Sequence, residues 1–325
     1  MNLVQLKYVC AAVAALQLMM SQAAELKRSN RVQGAMDRAV QAVVNGSRYT
    51  NLAQEVAVTA VDLTDPSVLE SGSYRGDQRI YPASVVKMFY LEAAHRWMEE
   101  GRIADTPELR RALSDMIVLS YNEATSYVVD VITRTTSGFE LPEEEMKVWV
   151  HQRNAINRYF ESRGYTNINA NQKPWGEGPY GRERVFVGEK YTNRNMLTTE
   201  ATARLLTEIA LGQAVSPKRS AEMLDLMKRD PFAPTTDPDG QSHGFTGPAV
   251  PRGAKLWSKA GWTSQTRHDA AYIEFENGKK LVLVIFTVNH ANDRTLISTI
   301  ARAVIQELNF ARYESPKELG REAAR

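Results

Sequence analysis

Cysteine is almost absent from this chain: its 325 residues include one, Cys10. That excludes an internal disulfide framework, a thiolate metal cluster and a cysteine nucleophile in the body of the protein. An excess of charge of one sign is missing too. Lys and Arg number 40 against 38 Asp and Glu, a net charge of +2, and no basic cluster or acidic tail is visible. A nucleic-acid binder shows a larger, clustered basic excess, so nucleic acid is not an expected partner. The five histidines show no metal-ligand spacing, and neither a metal nor another cofactor is expected. Internal repeats and low-complexity tracts are lacking. With 43% hydrophobic and 24% charged residues, the composition is globular, which rules out disordered and fibrous classes.

Long apolar runs are also scarce. Tyr8 to Met20, broken by Gln17, follows the positive charge of Lys7 and precedes Ser21-Gln22-Ala23. This is the layout of a secretory signal over residues 1–23, with cleavage after Ala23. The run is too short to span a bilayer comfortably, which argues against a permanent anchor. The expected protein is therefore secreted or periplasmic, free of stable membrane insertion after cleavage, and a monomer.

Residues 24–33 are polar and read as a linker. The apolar spacing of Met36, Ala39, Val40, Val43 and Val44 predicts a helix over 34–44. Residues 55–63, EVAVTAVDL, alternate as a strand does, and Thr64-Asp65-Pro66 ends it. Helical patterns follow over 84–100, 108–131 (in one piece or two), 143–163, 199–212 and 220–228, with irregular stretches at 165–197 and 229–254. The period then changes. Residues 256–262, 270–276 and 281–288 read as strands, with a hairpin turn at Asn277-Gly278, and 295–308 as a last amphipathic helix. The economical arrangement is α+β: the two ends form one antiparallel sheet flanked by terminal helices, about 34–82 and 251–325, and the middle, about 83–250, forms an all-helical lobe.

Three short motifs can carry chemistry. Ser84-Val85-Val86-Lys87 places a serine and a lysine one helical turn apart, on one side of a helix start. Free N–H groups there favour developing negative charge, and a serine becomes a nucleophile if a neutral amine takes its proton. Ser120-Tyr121-Asn122 offers a hydroxyl and a carboxamide two positions apart, on a stretch that reads as helical. Lys259-Ala260-Gly261 falls on a predicted strand, with a fixed charge at Lys259 and a glycine that would let a substrate backbone come close. Taken singly, the motifs read more simply as a helix cap with a solvated lysine, a surface polar pair and an edge-strand lysine. Gly176 to Gly181 formally matches G-x-G-x-x-G, but no strand precedes it and Pro179 interrupts it, so it reads as a loop. His268-Asp269 lacks a nucleophile elbow and reads as part of the hairpin.

In this order, S-x-x-K, S-x-N and K-x-G resemble the signature of penicillin-recognising serine hydrolases. The chain resembles class A β-lactamases over nearly the whole of residues 34–325, and NMLTTEATARLL at 195–206 is similar to that family's exit from its Ω loop. The resemblance implies a β-lactamase/transpeptidase-like fold and an exported serine hydrolase that opens β-lactam amides through an acyl-serine. Two alternatives on the same fold are a D-Ala-D-Ala peptidase or other amide or ester hydrolase, and a catalytically weak protein that binds penicillin or peptidoglycan. The implied substrate is a small β-lactam or a peptidoglycan-like molecule.

The implied roles are as follows. Ser84 is the nucleophile, Lys87 takes or relays its proton, and Ser120 passes a proton to the leaving nitrogen. Asn122 holds the substrate amide and orients Lys87. Lys259 attracts a substrate carboxylate, Gly261 gives close approach, and the backbone N–H groups of Ser84 and Trp262 form the oxyanion hole. Such donors are commonly worth about 3 kcal/mol each in the transition state. Arg267 stands where the family places a carboxylate-binding arginine, and Glu189, in Glu189-Lys190-Tyr191-Thr192-Asn193, would activate the hydrolytic water, with Glu183 and Glu177 as other carboxylates of the region. Two positions depart from the family pattern. Tyr121 replaces an aspartate, and Ala260 replaces the usual Thr or Ser, which removes a hydroxyl that would bind a β-lactam carboxylate. Thr263 and Ser264 are the hydroxyls nearest in sequence that could replace it.

Overall fold

Both ends of the chain meet in one sheet. The computed structural model describes residues 26–174 and 178–313; the segment read as a signal, with Cys10, and Glu177 lie outside the described residues. Among the described residues, no helix is long and apolar enough to cross a membrane. Seven strands are ordered β1-β3-β2-β7-β6-β5-β4: β1 Lys27–Arg28, β2 Val56–Asp62, β3 Glu70–Tyr74, β4 Lys228–Arg229, β5 Lys255–Trp262, β6 Thr266–Glu274 and β7 Lys280–Val288. Every neighbouring pair is antiparallel except β1 with β3.

β7 explains why the sheet is buried on both faces. Its run KLVLVIFTV is apolar throughout, the pattern of a strand covered on two sides. Leu281, Leu283 and Ile285 face the terminal helices Asn30–Asn45 and Leu296–Glu307, packing with Val32, Met36, Val40, Ile297, Ile300 and Val304. Val282, Val284 and Phe286 face the helical lobe, where Phe89, Leu91 and Leu206 lie in the same cluster. The α+β fold with a helical lobe is therefore as expected, and Asn277-Gly278 makes the β6–β7 turn, with Gly278 at φ 81° and its N–H donating to Phe275 O at 3.0 Å.

The boundaries move in five places. Residues 24–33 are not all linker: Lys27 and Arg28 pair with β3, and the first helix begins at Asn30, capped by Ser29 Oγ, which accepts from Val32 N at 3.2 Å. β3 was not expected, because ESGSY lacks the β-branched residues that mark a strand. Its Gly72 is required by packing, since a Cβ there would stand 2.6–2.8 Å from the backbone of Val32 and Gln33. The sheet also borrows β4 from the middle of the chain. The fourth change bears on the site. Residues 108–131 are not continuous helix: Pro107–Ser114 passes into a π-turn, Asp115–Leu119, the chain reverses at Ser120 in the left-handed region (φ 60°), and Asn122–Thr133 begins anew. Residues 165–197 also contain one short helix, Gly181–Val187.

Candidate active site

Ser84 sits in a tight 3₁₀ turn, Ala83–Val86, that leads into the helix Lys87–Glu99. Ala83 enters it with φ 47°, and the turn leaves Ser84 half-buried while Val85 and Val86 anchor it in the core. Lys87, one turn on, has no exposed surface. Its Nζ donates to Ser120 O at 2.6 Å and to Asn122 Oδ1 at 2.9 Å, with Ser120 Oγ at 3.3 Å. Burial pushes the amine down to about 7, against the opposing pull of Glu123. A neutral lysine fills its two strongest acceptors with two N–H groups and keeps a lone pair to receive a proton.

The break at Ser120 delivers that residue to the same point. Ser120 closes the π-turn through its N–H to Asp115 O, which projects its hydroxyl between two lysines. Lys259, on β5, donates to Ser120 Oγ at 3.0 Å, to Gln241 Oε1 at 2.8 Å and to Ala260 O at 2.7 Å. It is fully buried and held well below the usual lysine value, first by burial and then by the charges of Lys87 and Arg229. The structure thus brings Lys87, Ser120, Asn122 and Lys259 into one hydrogen-bonded cluster. Tyr121, between them in sequence, is turned outward, 55% exposed.

Gly261 serves a purpose different from the one expected. A Cβ there would lie 2.7 Å from Pro82 O, 2.8 Å from Ser84 N and 2.9 Å from Val85 N. Glycine is needed for the nucleophile's own turn to lie against β5, not only for a substrate. The next residue on β5 is Trp262. In the β5–β6 register, Trp262 pairs with Arg267, and Thr263 N donates to Thr266 O at 2.9 Å. Backbone groups alternate in direction along an antiparallel strand, so Trp262 N–H points away from β6. Ala260, of the same parity, does the same, its N–H reaching Gln241 Oε1 at 3.2 Å. Trp262 N–H is thus on the open side of β5, on the residue after the Gly261 that Ser84 N approaches.

The carboxylate-binding set is not assembled as expected. The Thr263 hydroxyl is 3.0 Å from Thr266 Oγ1 and accepts from the Gln265 and Thr266 N–H groups at 3.1 Å, which closes the hairpin. It does not replace the hydroxyl missing at Ala260, and Ser264 is exposed on the same turn. Arg267 is buried, donating to Gly244 O at 2.7 and 3.3 Å, with its guanidinium 4.2 Å over the Phe245 ring. Trp262 is 46% exposed at the mouth of the same region.

Glu189 is exposed, and its backbone carbonyl, not its carboxylate, holds Arg184; it lies on the loop after the short helix Gly181–Val187, as a solvated loop glutamate would. Glu183 is buried but spoken for: Arg153 donates to both its oxygens at 2.8 and 2.9 Å, and Ser137 Oγ to Oε1 at 3.0 Å. A carboxylate clamped by a buried guanidinium ties the loop together and is not free to activate water. His268 has both ring nitrogens engaged, by Tyr81 O at 2.9 Å and Thr287 N at 3.0 Å, and burial lowers it to about 4; it is a neutral packing residue.

Gln241 and Arg229 are site residues that the sequence did not reveal. The Gln241 carboxamide accepts from Lys259 and Ala260 and donates to Ile117 O and Val118 O at 3.0 and 2.9 Å. Arg229 Nη2 donates to the same Ile117 O at 3.1 Å. Together they fasten the turn that carries Ser120 to the strand that carries Lys259. Neither belongs to a motif, and a glutamine in a Pro/Gly-rich loop gives no local signal.

Comparison with known proteins agrees with this geometry. The profile of the Beta-lactamase enzyme family matches residues 104–308, more than half of the chain. No curated protein sequence matches. Among solved structures, a β-lactamase from Sphaerobacter thermophilus is 22% identical, with a TM-score of 0.61, and the match covers 86% of this chain and 99% of that one. PBP-A is 19% identical, with a TM-score of 0.62, over 89% of this chain and 100% of its own. A PBP-A variant solved as an acyl-enzyme complex with penicillin G is 19% identical, with a TM-score of 0.61, over 86% and 97%. At these identities the structural matches establish the fold. The family profile, over more than half of the chain, shows its kinship: it belongs to the beta-lactamase enzyme family.

Proposed function

We propose that the protein is an exported acyl-serine hydrolase of the class A β-lactamase type, acting as a monomer on cyclic or peptide-like amides. The observation that carries this reading is the convergence of two buried lysines, Lys87 and Lys259, on the hydroxyl of Ser120, one turn from Ser84. The Ser84 hydroxyl attacks the substrate carbonyl, and its proton passes to the lone pair of Lys87. The carbonyl oxygen, now negative, sits between the N–H groups of Ser84 and Trp262. Ser120 gives its proton to the leaving nitrogen as the C–N bond breaks and is reprotonated from a neighbouring lysine. Asn122 keeps Lys87 in line and offers its amide edge to the substrate. Water then cleaves the acyl ester.

A second reading is favoured by the carboxylates. With Glu189 exposed and Glu183 clamped by Arg153, neither is available to activate that water. A slow second step would give a long-lived acyl-enzyme, the behaviour of a penicillin-binding protein or peptidase.

Intact-mass measurement after mixing with penicillin G tests both. An adduct of one penicillin on Ser84, absent in Ser84→Ala, supports the acyl-serine reading. Clearance within seconds favours a β-lactamase, and persistence favours the second reading. An undiminished adduct in Ser84→Ala would place the nucleophile elsewhere.

A further inference from the structure

We infer that His268, besides packing the sheet, is a positioning residue for the nucleophile: its imidazole holds the Tyr81 carbonyl against the sheet and so aims the strained turn that carries Ser84. The inference rests on the acyl-serine reading. His268 has no exposed surface, so it acts through the turn and not on a substrate.

Ala83 enters the Ser84 turn at φ 47°, a left-handed conformation that a residue with a Cβ keeps only where its surroundings hold it there. The chain before it is held carbonyl by carbonyl. Ile80 O accepts from Leu197 N at 2.9 Å, and Pro82 O from Val85 N at 3.1 Å. Tyr81 O, between them, is 2.9 Å from His268 Nε2. His268 lies on β6 opposite Gly261, the residue against which the Ser84 turn packs. Two neighbouring strands therefore grip the turn, β5 by contact at Pro82, Ser84 and Val85, and β6 by a hydrogen bond at Tyr81.

The ring can do this in only one tautomer. Its Nδ1 accepts from the Thr287 N–H of β7 at 3.0 Å, so the proton of the neutral ring is on Nε2, the nitrogen that faces Tyr81 O. Burial keeps the ring neutral by lowering it to about 4, and the Phe286 ring packs against it, with 4.6 Å between centroids. His268 thus carries a link from the backbone of β7, across β6, to the peptide group that leads into the Ser84 turn. A side chain that only packed would call for neither bond.

Two substitutions separate the bonds. In His268→Gln the amide nitrogen stands where the ring has Nε2 and keeps the bond to Tyr81 O. In His268→Asn the amide oxygen stands where the ring has Nδ1 and keeps the bond from Thr287 N. Each variant leaves one buried backbone group without its partner, so both are expected to lower the urea midpoint by similar amounts. Ser84 acylation by penicillin G, followed by intact mass over a range of concentrations, is expected to tell them apart. His268→Asn loses about 10²-fold in limiting rate at an unchanged half-saturating concentration, while His268→Gln stays close to wild type. Imidazole nitrogen NMR of the wild-type protein, which depends neither on acylation nor on a variant's folding, is expected to show the Nε2–H tautomer. An Nδ1–H tautomer, a folded His268→Gln slowed as much as is expected of His268→Asn, or a folded His268→Asn acylated at the wild-type rate overturns the inference and leaves the acyl-serine reading standing. No adduct with the wild-type protein overturns that reading, and the inference with it.

Discussion

Lys87 and Lys259 converge on one oxygen: their Nζ atoms lie 3.3 and 3.0 Å from Ser120 Oγ. Both amines are buried, and two ammonium ions could share that hydroxyl only against their mutual repulsion. Burial and that repulsion both favour the neutral amines. Lys87 is pushed down to about 7 by burial, and Lys259 is held below its usual value by burial, Lys87 and Arg229.

A pH dependence follows from the lowered value of Lys87. Its neutral form, the one able to take the Ser84 proton, grows as pH rises through about 7. The second-order rate of acylation is therefore expected to rise about tenfold per unit below that pH and to level off above it, when followed between pH 5 and 9 with a neutral substrate. Lys87→Met, which keeps the stem and removes the amine, is expected to lower the rate by about 10³-fold or more. A wild-type rate that falls from pH 6 to 8 would mean that a charged Lys87 is required.

Gly261 offers a test of position as opposed to chemistry. The side chain of Gly261→Ala would meet backbone atoms of Pro82, Ser84 and Val85 within 2.9 Å, and backbone cannot yield as a flexible side-chain end can. The Ser84 turn must shift away from β5. Misplacement of a reacting group by about 1 Å costs on the order of 10²-fold in rate, so acylation is expected to fall by about that factor while Lys87 and Ser120 stay in place. Destabilisation is expected to be about 1–3 kcal/mol, the usual cost of overpacking, seen as a lower urea midpoint. Full acylation activity in this variant would mean that the turn and the strand are not held as tightly as their contact requires.

What could be read from the sequence, and what could not, divides on the range of the signal. Ser84 and Lys87 were legible because helical spacing puts them on one side, and β7 because its apolar run and the Asn277-Gly278 turn are local. Three features were hidden for physical reasons. SDMIVLSYNEA reads as helix in one piece or two, and nothing in it marks the left-handed turn at Ser120. β3 was missed because its glycine answers to a helix some forty residues earlier in the chain, at Val32 and Gln33. Glu189 and Glu183 sit in one polar stretch, and spacing cannot say which is exposed and which is paired with Arg153, thirty residues away. Gln241 is the extreme case. Its partners Ile117 and Val118 lie 124 and 123 residues away, and none of its four contacts leaves a local trace.

Gln241 therefore makes the sharpest prediction about how the site is held. Its carboxamide is a two-sided link: the oxygen receives Lys259 and the Ala260 N–H, and the nitrogen serves the carbonyls just before Ser120. Gln241→Leu keeps the volume approximately and removes all four bonds, leaving a buried amine, one N–H and shared carbonyls short of a partner. Each unsatisfied buried group costs about 1–3 kcal/mol; Arg229 still serves Ile117 O, so the whole change is expected to cost about 2–4 kcal/mol in a urea unfolding experiment. The effect on chemistry distinguishes a linking role from mere packing. Without its Gln241 acceptor, Lys259 is freer to leave Ser120 Oγ, and delivery of a proton to the leaving nitrogen is impaired. Substrates with a poor leaving group, such as an ordinary amide, are then expected to lose about 10²-fold in rate, whereas a thioester, whose leaving group departs without protonation, is expected to lose much less. Equal losses for both would mean that Gln241 supports the fold alone.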